Sequence, residues 1–315
     1  MHKRQGRYLE RVETTARLLQ VHTALYLDTP RSAGLTWEPL LAVTGSAETF
    51  DEMYPSCSEE HVVEFLTTDT LNQGSIIASL ALARENVRTT RAVFPREVWE
   101  GVNDLYFDAV DLADEAVPRW SRHGWVSRVI DRCHALVGIM ASTMTRDEAY
   151  EFLRIGRYLE RADMTSRVLD VRAGSLADSR DDDGEVRPYE DLQWMSVLRS
   201  LAADQAYRRK KQTQVQGAAV LGFVLQDVGF PRSVAHSLMV VSSCLDGLNH
   251  HDEVRAVCDR TRVTVDEARV RTLAWEGLTE WVDALQVDLI DLHGALSDTY
   301  FNLDHTRPSL LLASA

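Results

Sequence analysis

Basic charge, and lysine in particular, is scarce in this sequence. The 315 residues include 48 acidic and 34 basic side chains, which gives a formal net charge of −14. Only three of the basic residues are lysines: Lys3, Lys210 and Lys211. Nucleic-acid binding needs a basic surface that neutralises phosphates, and anionic membranes attract the same kind of surface. The charge balance therefore argues against a nucleic-acid-binding protein and against a protein of the membrane surface.

Long apolar runs and paired cysteines are also missing. The longest apolar stretch, at about residues 217–225, is far shorter than the roughly 20 residues that cross a bilayer. The start of the chain, MHKRQGRYLER, has no apolar segment of the kind found in secretory signals. Four scattered cysteines without CxxC spacing are typical of reduced thiols: Cys57, Cys133, Cys244 and Cys258. We therefore expect a soluble, cytoplasmic protein.

Glycine-rich nucleotide motifs are absent as well. Neither GxGxxG nor GxxxxGK[ST] occurs, so the chain should not bind ATP through either familiar phosphate loop. No local Ser-His-Asp or Cys-His signature of a nucleophilic enzyme is present. From the sequence we expect no cofactor.

Helical periodicity dominates what the sequence does contain. Apolar residues recur at i, i+3, i+4 and i+7 in nearly every long segment, and no alternating run of Val, Ile and Thr suggests a sheet. The pattern predicts an all-α protein with helices at about residues 7–28, 37–44, 59–68, 74–93, 95–117, 123–142, 147–173, 189–208, 213–226, 231–248, 251–259 and 265–300. The tryptophans lie within apolar helical patterns and are interpreted as core anchors: Trp37, Trp99, Trp120, Trp125, Trp194, Trp275 and Trp281.

An internal repeat is the strongest signal in the chain. Residues 6–24 (GRYLERVETTARLLQVHTA) and residues 156–174 (GRYLERADMTSRVLDVRAG) are identical at ten of nineteen positions. Two further blocks follow in the same order: Trp37 matches Trp194 at an offset of 157, and residues 65–80 match residues 223–238 at an offset of 158. Three ordered blocks with drifting offsets predict a helical bundle formed by internal duplication of one helical unit, with the copies related by a pseudo-twofold axis.

The repeat also defines the expected domain organisation. The first unit would span residues 1–145 and the second residues 146–315, packed as one compact domain because neither half covers its own apolar face. The acidic segment at residues 175–188 is expected to form a surface loop. The second copy places YEFLRI before its GRYLER block where the first has only MHKRQ, so the first helix is expected to begin short.

The repeated block carries the main candidate functional residues. Each copy has the same pattern of charges, and the eight residues are Arg7, Glu10, Glu13, Arg17, Arg157, Glu160, Asp163 and Arg167. The simplest interpretation is a solvent-exposed helix face. On such a face, an i,i+4 pair such as Glu13–Arg17 contributes only about 0.2–0.5 kcal/mol to helix stability. Retention of the charges in both copies favours a partly buried carboxylate–arginine network between the halves. Such a network would either be architectural or line a polar pocket, and both alternatives stay open.

Two smaller features of the sequence also bear on function. A dimetal site of the ferritin-like kind needs Glu-x-x-His, which is absent, and the neighbouring arginines would oppose a cation, so we predict no metal. In the segment ALARENVRTTR, the residues Arg84, Glu85 and Asn86 are interpreted either as part of a solvated face or as a contact for an anion or carboxylate.

Several motifs together resemble one known family. They are GRYLER-x-[ED]-x-x-x-R near the start, WEPLLAVTG at 37–45, FL-x-x-D-x-x-x-x-S-I at 65–76, AREN-x-R-x-x-R at 83–91, VWE-x-x-N-x-LY at 98–106 and FVLQDVGFPRSVAHSL at 223–238. On these residues the chain is similar to the alpha-E family, a bacterial all-helical domain of unknown function. The resemblance implies that the gene lies beside, or is fused to, a gene for a circularly permuted ATP-grasp protein, often with a gene for a transglutaminase-like peptidase nearby. It implies no established catalytic residues.

The leading hypothesis is a helical partner of an ATP-grasp-type amide or peptide ligase, which binds the ligase or its peptide substrate. The alternative is an enzyme in its own right in peptide or amide-bond synthesis or modification, with Glu10 or Glu160 as an acid or base in a pocket between the halves. A purely structural, self-associating homo-oligomer is the third hypothesis.

Overall fold

The protein is described by a computed structural model that covers residues 2–28, 35–177, 190–211 and 215–301. These residues form only α-helices, one short 3-10 turn and no strand, which confirms the all-α prediction. In chain order the helices are α1 (His2–Asp28), α2 (Glu38–Thr44), α3 (Ala47–Met53), α4 (Glu59–Thr67), α5 (Ile76–Thr89), α6 (Arg96–Asp111), α7 (Arg119–Thr143), α8 (Glu148–Ala177), α9 (Glu190–Ser200), α10 (Asp204–Lys211), α11 (Gly217–Gln226), α12 (Val234–Leu245), α13 (Asp252–Asp266), α14 (Val270–Leu273) and α15 (Leu278–Tyr300). Most of the acidic segment 175–188 lies outside the described residues.

The two helices that contain the GRYLER blocks, α1 and α8, pack against each other at the centre of the molecule. Leu9, Val12 and Leu19 of α1 are buried as the periodic pattern predicts. The polar Thr14 is buried too, because neighbouring helices cover α1 on more than one side. A helix buried on several faces must also bury its polar residues, and this is why its charged groups need partners inside the protein.

The remaining helices surround this central pair in an interleaved order. Helices α5 and α7 pack against α1, and α12 and α15 pack against α8. The connections cross over, however, since α2 packs on α8 and α9 packs on α1. The first and second parts of the chain therefore share one continuous hydrophobic core.

Several helix boundaries differ from the sequence predictions. The expected helix at 189–208 is divided into α9 and α10 at Ala202, whose φ of 50° lies in the left-handed region that ends helices. The expected helix at 265–300 is divided at Gly277, with a φ of 72°. The short helix α3 was not predicted, and α1 begins at His2 rather than near residue 7.

The tryptophan prediction is wrong at two positions. Trp37, Trp125 and Trp194 are buried in the core as expected. Trp120 and Trp275 are 86% and 66% exposed, since each lies near the start or end of a short connection rather than on the inner face of a helix. None of the described helices combines the length and the apolar character that crossing a membrane requires.

Serine caps begin two helices that matter for the site. Ser75 precedes α5 and accepts a hydrogen bond from the backbone N–H of Ala78, and Ser233 precedes α12 and accepts one from His236. Such caps satisfy backbone donors that the helix cannot use. They also fix the residues immediately before them: Gly74 lines a cavity beside α8, and Arg232 donates a hydrogen bond to Glu13 of α1.

The close contact between α1 and α8 depends on Gly6. A Cβ atom added at Gly6 would lie 2.2 Å from the carbonyl oxygen of Leu153 and 2.8 Å from the backbone nitrogen of Arg157. Both neighbours are backbone atoms and cannot move aside without shifting α8. The glycine therefore lets the two helices approach closely enough for their charged side chains to meet.

Replacing Gly6 by alanine is expected to destabilise the protein by about 1–3 kcal/mol, because the added methyl group forces packed backbones apart. The matched control is Gly138→Ala in α7, where an added Cβ meets nothing within 4 Å. That substitution is expected to stabilise by about 0.5–1 kcal/mol through the backbone entropy of glycine. Urea denaturation monitored by circular dichroism measures both. Equal stability of Gly6→Ala and the unmodified protein would contradict the close approach.

Candidate functional site

The Glu-Arg pair of each GRYLER block contacts the pair of the other block across α1 and α8. Glu10 accepts hydrogen bonds from Nε and Nη2 of Arg161, at 2.6 and 2.7 Å. Glu160 accepts one from Nε of Arg11, at 2.7 Å. Each glutamate therefore has its strongest partner on the opposite helix, and both carboxylates are almost completely buried.

The first arginine of each block joins the same network. Nε of Arg7 donates to Glu160 at 2.6 Å, and Nε of Arg157 lies 3.8 Å from Oε2 of Glu10. The arrangement of these four contacts is reciprocal, because α1 contributes one glutamate and two arginines and α8 contributes the same set. Two arginines from the opposite helix thus surround each buried carboxylate.

The acidic residues three positions further along lie at the edges of the network. Glu13 accepts a hydrogen bond from Nε of Arg17 at 2.8 Å and one from Nη2 of Arg232 at 2.6 Å. His134 of α7 also lies 3.4 Å from Glu13. Asp163 accepts a hydrogen bond from Nε of Arg167 at 3.0 Å. The i,i+4 pairs of the sequence prediction are thus present, but Glu13 has a further arginine from outside the GRYLER helices.

The two ends of the network differ in their electrostatics. Burial would raise the pKa of Glu10, but the charges of Arg161 and Arg232 outweigh it and lower the pKa below its usual value. The pKa of Glu13 is also lowered, since Arg232 and the groups beside it outweigh the effect of burial. At Asp163 burial prevails over the charge of Arg167, and the pKa is raised. Glu10 and Glu13 are therefore held ionised, and the charge on Asp163 is less well compensated.

Two clefts flank the network. The smaller, of about 110 Å³, lies beside Glu160 and Asp163, and its other lining side chains include Arg11, Arg167 and Asn72. The larger, of about 600 Å³, lies on the side of Arg232 between α10, α11 and the segment that precedes α12. Its lining includes Arg209 and Lys210. The polar network therefore ends on each side at a cavity that solvent or a ligand can enter.

The structure separates the candidate residues of the AREN segment from this network. Nε of Arg84 donates to Asn103 at 2.6 Å, and its guanidinium lies over the rings of Trp99, Tyr106 and Phe107. Glu85 pairs with Arg88 on the surface. Asn86 is buried and donates to Gln5 of α1 at 3.4 Å. Arg84 thus fixes α5 to α6, and none of these three residues lines either cleft.

Three arginines of the network were not among the predicted site residues: Arg11, Arg161 and Arg232. Arg11 and Arg161 follow the glutamates directly in the repeated block, so their duplication was a usable signal. No such signal marked Arg232, because the aligned position of the other sequence block is Gly74. In the part of the chain that the structure describes, no group of three His, Cys, Asp or Glu side chains could hold a metal ion.

Replacing Glu10 by glutamine is expected to lower the free energy of unfolding by about 3–5 kcal/mol, because the charge of Arg161 stays buried without its partner. Glu100→Gln is the control, since Glu100 pairs with Arg96 on the surface. Its expected effect is below about 1 kcal/mol. Chemical denaturation compares the two variants, and a loss for Glu10→Gln no larger than that for Glu100→Gln would disprove the structural role of the pair.

Acid should destabilise the protein through the same carboxylates. The folded-state pKa values of Glu10 and Glu13 lie below the ordinary value of 4.5, so the folded protein binds fewer protons than the unfolded chain in this range. The stabilisation is complete above about pH 4.5 and decreases as the pH falls below it. Unfolding experiments between pH 7 and pH 3 should show this decrease, and the double variant Glu10→Gln/Glu13→Gln should show a weaker dependence on pH. An unchanged slope in the double variant would assign acid sensitivity to other groups.

One family model matches nearly the whole chain. This model, Alpha-E, is described as a predicted alpha-helical domain with a conserved ER motif, and it matches residues 5–301. No curated protein and no solved structure matches the chain. The dipeptide Glu-Arg occurs twice in the sequence, as Glu10-Arg11 and Glu160-Arg161, and these are the residues that pair between α1 and α8. The chain belongs to the Alpha-E family.

Proposed function

We propose that this protein is a helical accessory subunit of an ATP-grasp-type amide or peptide ligase system in bacteria, and that it binds the ligase or its peptide substrate. This role is suggested by the neighbouring ATP-grasp genes that the family resemblance implies. A transglutaminase-like peptidase is proposed as a further partner for the same reason. The sequence has neither familiar phosphate loop, so ATP chemistry is assigned to the ligase. We place the system in the cytoplasm, in keeping with four free cysteines.

The observation that carries this proposal is the open, basic cleft beside the Glu–Arg network. The network charges are used in holding α1 to α8, and Lys210 pairs with Asp227 of the cleft itself, whereas Arg209 is exposed at the rim of the 600 Å³ cleft. Cavities of about 300–1,000 Å³ are the usual size for bound ligands, and arginine suits the pairwise recognition of carboxylates. The cleft therefore fits a carboxylate-bearing segment of a peptide or of the ligase.

We further infer that the two parts of the chain are copies of one unit related by a pseudo-twofold axis. The reciprocal contacts of Glu10 and Glu160 support this relation. So do the left-handed residues Gly45 and Ala202, which end α2 and α9 at the offset of 157 seen in the sequence. The copies are then one functional body rather than two domains, because the network joins them.

An independent enzyme is the second candidate function, and one observation favours it. Asp163 lines the smaller cleft, and burial raises its pKa, as a group that exchanges protons requires. Glu10 is a poor candidate for the same work, because its lowered pKa keeps it ionised at neutral pH. If this second function applies, Asp163→Asn should lower kcat of amide formation while the association with the ligase stays unchanged.

Co-expression with a circularly permuted ATP-grasp protein from the same genome tests the leading proposal. We expect a complex that contains both chains after native affinity purification and size-exclusion chromatography with light scattering. Arg209→Glu should weaken the complex by at least about tenfold, because a like charge facing a partner carboxylate costs more than 1.4 kcal/mol.

Arg260→Glu is the control variant, because Arg260 is an exposed arginine of α13 that does not line the cleft. It should leave the affinity unchanged. Failure of the two chains to associate would contradict the partner role. A homo-oligomeric mass for the chain alone, together with such a failure, would favour the self-associating bundle instead.

A further inference from the structure

The two flanks of the network differ at the position that precedes a matched serine. Ser75 and Ser233 match at the offset of 158, and each caps the helix that follows it. Asp69 and Asp227 also match, and the Oδ1 atom of each accepts a hydrogen bond from the backbone N–H two residues later. Between these matched residues, the position before the serine is Gly74 in the first half and Arg232 in the second.

In the second half, the side chain of Arg232 occupies the flank of the network. Its Nη2 donates to Glu13 at 2.6 Å, and its Nη1 lies 3.4 Å from Glu10. Its backbone carbonyl accepts a hydrogen bond from Thr165 of α8, which fixes the loop against the helix. Together with Arg17, Arg157 and Arg161, this places four arginines around the two acidic residues of α1.

In the first half, the corresponding space is a cavity. Gly74 has no side chain to fill it, and the space of about 110 Å³ is lined by Glu160 and Asp163 among others. This is room for at least about three waters, and so for one group of the size of a guanidinium. Among the described residues, three arginines pair with Glu160 and Asp163: Arg7, Arg11 and Arg167.

We propose that this cavity binds the guanidinium group of an arginine side chain in a peptide. The guanidinium would take, beside Glu160 and Asp163, the position that Arg232 takes beside Glu10 and Glu13. This inference rests on the proposed relation between the two halves, and it does not depend on the ligase.

Three arginines already outnumber Glu160 and Asp163, so the support for a cation comes from the corresponding flank rather than from the local net charge. With a bound guanidinium, Glu160 and Asp163 have four cationic partners, which is the number that Glu10 and Glu13 already have. The second half therefore demonstrates that this arrangement of two carboxylates and four guanidiniums is compatible with the packing of α1 and α8. Asp163 has the free acceptor capacity, since Arg167 uses one of its oxygens and the side chain is 22% exposed to the cleft.

Titration with N-acetyl-arginine amide, followed by calorimetry or by NMR, tests the site on the full chain. We expect saturable one-site binding, and no binding of the neutral isostere N-acetyl-citrulline amide. Asp163→Asn should weaken the binding by at least about tenfold, because a hydrogen bond between charged groups is lost. Equal binding of both amides, or preferential binding of N-acetyl-glutamate, would overturn the proposal.

Gly74→Arg is the sharpest variant, because it supplies from within the chain the side chain that Arg232 supplies in the other half. It should abolish binding of the arginine amide and raise the melting temperature. Gly74→Ala is the matched control: an added Cβ lies 3.1 Å from Oδ1 of Asn72 and leaves the cavity open, so binding should be retained. Unaltered binding by Gly74→Arg would show that the ligand lies elsewhere.

The reverse substitution provides a second, independent readout. Arg232→Gly should lower the melting temperature and create a matching cavity at Glu13, and N-acetyl-arginine amide should restore part of the loss where the citrulline amide does not. Absence of binding in the unmodified protein together with absence of this rescue would reject the inference. Arginine-amide binding with the variant pattern above, in a chain that fails to associate with the ATP-grasp protein, would support the site and reject only the ligase partnership.

Discussion

The structure depends on the exchange of glutamate–arginine pairs between α1 and α8. Each pair joins residues about 150 positions apart in the chain, and both carboxylates are withdrawn from water. Removing ions from water costs several kcal/mol for each ion unless partners at hydrogen-bond distance compensate it. Glu10 and Glu160 meet this condition only while the two helices stay together at the separation that Gly6 permits. The crossing helices are therefore a single unit, and neither half of the chain can keep its own motif satisfied alone.

This constraint explains what sequence reasoning could and could not reach. Helical periodicity located most of the helices, because burial of one apolar face repeats every few residues. It failed at Ala202 and Gly277, where a single left-handed residue ends a helix while the apolar pattern continues. Ala202 carried no warning, since alanine is a good helix former and rarely adopts a positive φ.

The site was harder to predict than the fold because its contacts are not local. Within one helix, Glu13 and Arg17 have the spacing of a pair, and the structure contains that pair. The partner of Glu10 lies on another helix, and no spacing in the sequence identifies Arg161 as that partner. Arg232 was hidden for a different reason. Arg232 matters because the corresponding position of the other sequence block is a glycine, and identical residues alone do not reveal such a difference.

That difference decides where function can reside. A fully paired, buried network is rigid, and its carboxylates are poorly placed to exchange protons or bind a ligand, because every rearrangement would leave an ion unpaired. Activity is more readily added at the edge, where one more charge can be accepted without breaking an existing pair. In the second half, Arg232 already supplies this additional charge to Glu13. In the first half, Gly74 supplies none, and a cavity lies beside Asp163 instead. In the proposed duplication, Arg232 closes one flank of the network, whereas the flank beside Gly74 keeps a charged cavity.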